Sequence, residues 1–198
     1  LTDLPNRVGL RDELDKLTHK RAAAARGAVL LVELDRFASV NGTYGHDIGD
    51  QLMVAAARQL RRGLARDDLL FRAGGPQFVV ICPSVLTIEG ARQRAADLQQ
   101  LVRDQYRIEH DHLRISSSVG IVLLDTRHTD PHIVLEDAEA ALRDANDHGL
   151  GNTSVFEISM RGRVNAYDAE ERMRTALENN DFLVVYLPVV SISTSRIV

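Results

Sequence analysis

Leu69-Leu70-Phe71-Arg72-Ala73-Gly74-Gly75-Pro76-Gln77-Phe78-Val79-Val80-Ile81-Cys82 is the stretch that decides the fold. Leu69 to Arg72 and Gln77 to Cys82 are short apolar runs, and Ala73-Gly74-Gly75-Pro76 between them is turn chemistry. The stretch reads as a β-hairpin. Upstream, Ile48, Leu52, Ala56, Leu60 and Leu64 recur at helical spacing, with Gly63 near the end. Asp35 to Asp50 is rich in Gly, Asn and Asp and reads as loop with a short helical turn. Ala28 to Leu34 is a continuous apolar run with one acid, Glu33, as in a strand buried on both faces. Before it, Leu10, Leu14 and Leu17 mark a helix that opens at Pro5-Asn6 and ends near Gly27. Downstream, Ile88, Ala91, Ala95, Leu98 and Val102 mark a helix, and Leu113 to Leu124 alternates as a strand. Val134, Ala138, Ala141 and Ala145 mark another helix, closed by Gly149 and Gly151, and Ser154 to Ile158 is a last strand. The order is an N-terminal helix, then β-α-β-β-α-β-α-β. One hairpin and helical crossovers imply an α/β (α+β) fold, a mixed central sheet flanked by helices.

The composition sets bounds on function. The 198 residues are enough for one domain and part of a second. With 44% hydrophobic and 26% charged residues the chain is an ordinary globular protein. A chain of this size buries ~70% of its unfolded surface and needs no disulfide or metal to fold. Its one cysteine, Cys82, rules out an internal disulfide framework and fits a reducing compartment. A net charge of −4 argues against capture by nucleic acid or an anionic membrane. No apolar stretch approaches the ~18 residues of a membrane span. Leu1 to Arg7 has no signal-peptide pattern, and a chain that lacks an initiator Met and stops inside a strand pattern reads as a fragment. His110-Asp111-His112, His128 and His132 fall between elements, with no Cys partners and no H-E-x-x-H spacing, so they read as solvated loop residues.

Five stretches in order carry a resemblance. Leu1-Thr2-Asp3-Leu4-Pro5-Asn6-Arg7 is similar to an LTGLPNR start, and Glu33-Leu34-Asp35-Arg36-Phe37 to D-x-D-x-F. Asn41, Tyr44-Gly45-His46 and Gly49-Asp50 follow N-D-x-F/Y-G-H-x-x-G-D. Arg72 to Phe78 is an altered R-x-G-G-D/E-E-F hairpin, and Ser118-Val119-Gly120-Ile121 follows S-x-G-I. Residues 1–158 resemble the GGDEF family, the diguanylate cyclases of cyclic di-GMP signalling. Residues 159–180 read as a linker helix, with a stripe of Ala166, Ala169, Met173, Ala176 and Leu177 that packs on a domain or acts as a lever between two. Residues 181–198, with Phe182 to Val190, resemble the truncated start of an EAL domain, the cyclic di-GMP phosphodiesterase. Leu187 stands there in place of a Gln that lies near the family's substrate.

The resemblance implies a two-GTP condensation, with metal ions held by carboxylates on the first strand and the hairpin. Metal ions neutralise charge and orient in-line attack. The first-strand acid is Glu33, one methylene longer than the family's Asp; it reads either as a metal ligand or as a strand-end acid facing solvent. In Gly74-Gly75-Pro76-Gln77-Phe78 no acid remains, because Pro76 and Gln77 occupy the acidic positions. Phosphate-binding cations are also replaced, by Ala38, Asn146 and Leu150, with Asp147 added. Each lost charge-assisted contact costs ~1.5–3 kcal/mol. Asn41 and Asp50 match the guanine-binding positions. They read equally as a loop Asn satisfying its own backbone and an acid near a helix N-terminus. Of the product-inhibition pattern R-x-x-D only Asp68 remains, with Ala65 in the Arg position and Arg66 beside it. The expectation is a catalytically inactive domain in a cytoplasmic GGDEF–EAL protein, regulatory or dimerising. The alternatives are a GTP-binding sensor for the EAL phosphodiesterase and a weak diguanylate cyclase. No cofactor is expected, apart from Mg if GTP is bound. The expected partners are the EAL domain of the same chain, a second copy in a homodimer, and GTP bound weakly. Nucleic acid is not among them.

Overall fold

The computed structural model describes residues 1–19, 27–103, 105–108 and 111–161. In chain order the elements are α1 (Arg7–His19), β1 (Ala28–Leu34), α2 (Phe37–Tyr44), α3 (His46–Arg62), β2 (Leu69–Gly74), β3 (Gln77–Cys82), α4 (Ile88–Val102), β4 (Gln105–Ile108), β5 (Asp111–Arg114), β6 (Ser117–Leu123), α5 (Pro131–Asp147) and β7 (Thr153–Val155). One sheet has the order β2-β3-β1-β6-β7, and β4-β5 form a separate two-stranded ribbon. β1 is antiparallel to both β3 and β6, while β7 joins β6 in parallel.

Alternation along β1 divides the core. Leu30, Val32 and Leu34 pack with Leu52, Ala56 and Leu60 of α3 and Ala91, Ala95 and Leu98 of α4. Val29 and Leu31 face Leu10 and Leu14 of α1 and Val134, Ala138 and Leu142 of α5. α5 approaches β6 closely at Gly120, where a Cβ would stand 2.3 Å from the Ala138 carbonyl oxygen and 2.4 Å from the Leu142 nitrogen.

The structure differs from the sequence expectations in four places. The stretch expected as loop contains α2 and the start of α3. Asn, Gly and Thr are weak helix formers, and α2 is short. Its stability comes from burying Val40 and packing on α3 rather than from propensity. The strand expected from Leu113 to Leu124 is two strands that belong to different sheets, parted at Ile115-Ser116, and β4 was not foreseen. Accordingly His112 lies in β5 rather than in a loop, while His110 falls outside the described residues.

His128 is the fourth correction, because it is buried and not solvated. Its Nδ1 accepts from the Asp125 N–H at 3.1 Å, and its Nε2 lies 3.3 Å from Asp137 Oδ2. Asp137 is buried too and accepts two hydrogen bonds, both 2.7 Å, from Arg161. A loop position gives no periodic signal, so this interior histidine was illegible. His132 stands exposed in the first turn of α5. The first compact unit runs from Leu1 to Arg161. The linker helix and the EAL-like strands, including Leu187, lie outside the described residues.

At Gly120 the atoms that a side chain would strike are backbone and cannot swing away. We predict that Gly120→Ala lowers stability by about 3 kcal/mol or more, read as a shift of the urea midpoint by circular dichroism. A midpoint unchanged from the parent chain contradicts the close approach.

Candidate nucleotide site at the end of the central strand

The site residues gather where β1 runs out. Register places Glu33 opposite Gln77 on β3 and Ser118 on β6. Directly opposed side chains on one face of a sheet meet. Gln77 Nε2 donates to Glu33 Oε2 at 2.6 Å, the short distance of a charge-assisted bond. Asn146, from the last turn of α5, donates through Nδ2 to Glu33 Oε1 at 3.3 Å. Both oxygens of the half-buried carboxylate are therefore capped by amides. Glu33 is not the solvent-facing acid of the simpler reading.

Pro76 sits at the hairpin tip and has no N–H to offer. Its carbonyl accepts from the Leu34 N–H at 3.1 Å, which ties the tip to β1. Gly75 and Pro76 form the two-residue turn after Gly74 ends β2, and Phe78 is fully buried in the core. No carboxylate stands at the tip.

Asp35 is a buried acid whose role the sequence analysis missed. It accepts from the hydroxyls of Ser116 and Ser118, the latter at 2.8 Å, and from the Gly151 N–H at 2.9 Å. The available signal was an acid two residues after Glu33 and serines at 116 and 118, but only the folded sheet brings them together. With three donors, a carboxylate at 5% exposure is satisfied.

Asn41 lies on α2 against Gly49 of α3. A Cβ on Gly49 would come within 1.8 Å of Asn41 Oδ1, so a larger residue there would have to push the Asn41 amide aside. That oxygen is buried and has no hydrogen-bond partner among the described residues. Asp50 follows Gly49 in the chain and is exposed. The structure thus brings Asn41 beside α3, the helix that carries Asp50. Ala38 offers only a methyl group, and Leu150 is exposed.

Asp68 is spent elsewhere. Its carboxylate pairs with Arg94 of α4 and accepts from the Ala65 N–H at 2.9 Å, and the pair is almost wholly buried. Beside it, burial first and then the Asp68 charge push the Cys82 thiol up to about 12. No group of three or more His, Cys, Asp or Glu side chains that could hold a metal ion occurs among the described residues.

The comparisons with known proteins agree with this architecture. The family described as diguanylate cyclase, GGDEF domain, matches residues 1–152. The chain belongs to that family. It is 33% identical over 197 residues to the bifunctional diguanylate cyclase/cyclic di-GMP phosphodiesterase MucR of Pseudomonas aeruginosa, covering 96% of this chain and 28% of MucR. It is 31% identical to the cyclic di-GMP phosphodiesterase PdeR of Escherichia coli, covering 96% of this chain and 29% of PdeR. The chain thus spans less than a third of these relatives' length. The crystal structure of the GGDEF domain of YfiN (TpbB) from Pseudomonas aeruginosa superimposes with a TM-score of 0.74 at 28% identity, covering 80% of this chain and 99% of that one. No helix among the described residues is long and apolar enough to cross a membrane.

Removing the Gln77 amide leaves a half-buried carboxylate short of its stronger donor. Gln77→Leu should destabilise the chain at pH 7 by about 1–3 kcal/mol, measured by urea denaturation. The added apolar surface of Leu opposes this, so a stability equal to or above the parent's shows that the Gln77–Glu33 bond contributes no more than that surface does.

Proposed function

We propose that this GGDEF domain does not convert GTP to cyclic di-GMP and serves as a regulatory or dimerising module of a cytoplasmic GGDEF–EAL protein. The observation that carries the reading is the Glu33 carboxylate held between the Gln77 and Asn146 amides. The family's chemistry needs a hard cation at this place, and such ions take several oxygen ligands, usually carboxylates plus phosphates. Here one carboxylate is present and already bonded, and Pro76 and Gln77 add none. The donor set does not fit Mg²⁺. The cations that would meet the triphosphate are absent as well, at Ala38, Asn146 and Leu150. The relatives support the context: MucR and PdeR are named for cyclic di-GMP chemistry, and their similarity continues past residue 158 into the EAL-like segment.

A second reading rests on Asn41. Its buried Oδ1 lacks a partner, and Asp50 is open to solvent. A guanine edge would supply donors to the Asp50 carboxylate and, once the Asn41 amide turns away from Gly49, to Asn41 Oδ1. In this reading the domain binds GTP without turnover and reports it to the EAL domain.

The chain incubated with GTP and Mg²⁺ or Mn²⁺ should yield no cyclic di-GMP above a buffer blank by mass spectrometry. The double variant Pro76→Glu/Gln77→Glu should gain little, because catalytic groups acting as a unit are strongly non-additive. Product that appears in the parent chain and disappears in Glu33→Ala contradicts the proposal. For the second reading, guanosine should bind nearly as well as GTP, both at about millimolar affinity, since the triphosphate meets no cation. Chemical-shift titration checks this. Tight GTP binding that depends on Mg²⁺, with guanosine far weaker, overturns the account of the phosphate side.

A further inference from the structure

The opposite side of α2 borders a cavity of about 310 Å³ that meets the nucleotide reading only at Leu150. At 100° per residue, Ser39, Val40, Thr43 and Tyr44 fall in one sector of the helix, and Ala38 lies across from them. Those four residues line the cavity from α2, with Ile115 and Ser116 on the strand side and Leu150 after α5. Val40 and Ile115, both buried, give it an apolar part, and Asp35 and Arg114 line it as well. Its rim carries Tyr44 and Leu150, two of the few large hydrophobic side chains the fold leaves exposed, at 42% and 48%. Arg36 also lines the cavity, held at φ 55 where the chain turns from β1 into α2. Arg36 makes no ion pair among the described residues, and the carboxylate of its neighbour Asp35 is engaged by Ser116, Ser118 and Gly151.

We infer that this cavity is a second ligand site, for a planar aromatic ring carrying a single phosphate or carboxylate. The volume stands at the lower end of the ~300–1,000 Å³ found for small-molecule pockets. It admits one ring system and one anionic group, not a dinucleotide. The Tyr44 ring and the apolar part at Val40 and Ile115 take the ring by offset stacking and burial. The Arg36 guanidinium takes the anion, with the fork geometry that suits phosphate and carboxylate alike. The Ser39 and Thr43 hydroxyls add hydrogen bonds at the rim. The cavity shares Leu150 with the phosphate side of the proposed GTP site, whereas Arg36, Ser39, Val40, Thr43, Tyr44 and Ile115 are no part of that site.

The test is a titration of the ¹⁵N-labelled full chain with adenosine 5′-monophosphate, benzoate and inorganic phosphate, followed by amide chemical shifts. Adenosine monophosphate or benzoate should shift Thr43, Tyr44, Ile115 and Leu150 saturably at submillimolar concentration, and whichever binds tighter distinguishes a nucleotide from an aromatic acid as the source. Phosphate alone should bind at least tenfold more weakly. Tyr44→Ala should weaken binding about tenfold or more. So should Arg36→Gly, which removes the guanidinium while suiting the left-handed backbone. Asp50→Ala should leave binding unchanged. Three results overturn the inference: no saturable shift up to ~10 mM, equal binding of phosphate alone, or shifts that centre on Asn41 and vanish in Asp50→Ala.

Discussion

β1 is buried on both faces and hydrogen-bonded on both edges, and that constraint governs the rest of the domain. Ala28, Val29, Leu30, Leu31, Val32 and Leu34 are all at most 2% exposed. Each Val or Leu buried in this way stabilises the fold by roughly 1.5–3 kcal/mol before entropy is counted. With β3 and β6 paired along it, the strand cannot slide, because a one-residue slip would turn every side chain to the wrong face. Glu33 and Asp35 at its end are therefore held in fixed places. What they do is decided by the neighbours that β3, β6 and α5 bring to them.

Those neighbours turn the acids inward. Glu33 receives two amides, Asp35 receives two hydroxyls and a backbone N–H, and Asp68 receives Arg94. Each carboxylate has become part of the domain's internal bonding. On the proposed reading the scaffold is kept for its shape and its contacts, while the groups that would meet a metal and a triphosphate have been replaced together. The Asn41–Gly49 packing belongs to the same scaffold and keeps one polar atom without a partner.

Much of the fold was legible because it is periodic. The apolar run at β1, the helical spacing in α3, α4 and α5, and the glycine-rich hairpin turn all state their structure in local pattern. α2 was missed because Asn41, Gly42 and Thr43 carry weak propensity, and its stability comes from packing. The β5–β6 break was missed because the alternation from Leu113 to Leu124 continues across two sheets. At the site, residue identity was enough to show that Pro76, Gln77, Ala38 and Leu150 lack the needed charges. Identity alone could not show that Gln77 and Asn146 donate to Glu33, since those residues lie 44 and 113 positions away in the chain. His128 and Asp137 were hidden for the same reason: their pairing is tertiary and gives no local signal.

The central claim is that Glu33, bonded to two amides, holds no divalent cation. Electron paramagnetic resonance of Mn²⁺ titrated into the full chain with GTP reads this directly, because bound Mn²⁺ loses the sharp signal of the free ion. The account predicts the same free-ion signal with the parent chain as with Glu33→Gln in matched GTP solutions. A stoichiometric loss of signal in the parent chain that Glu33→Gln abolishes would contradict it.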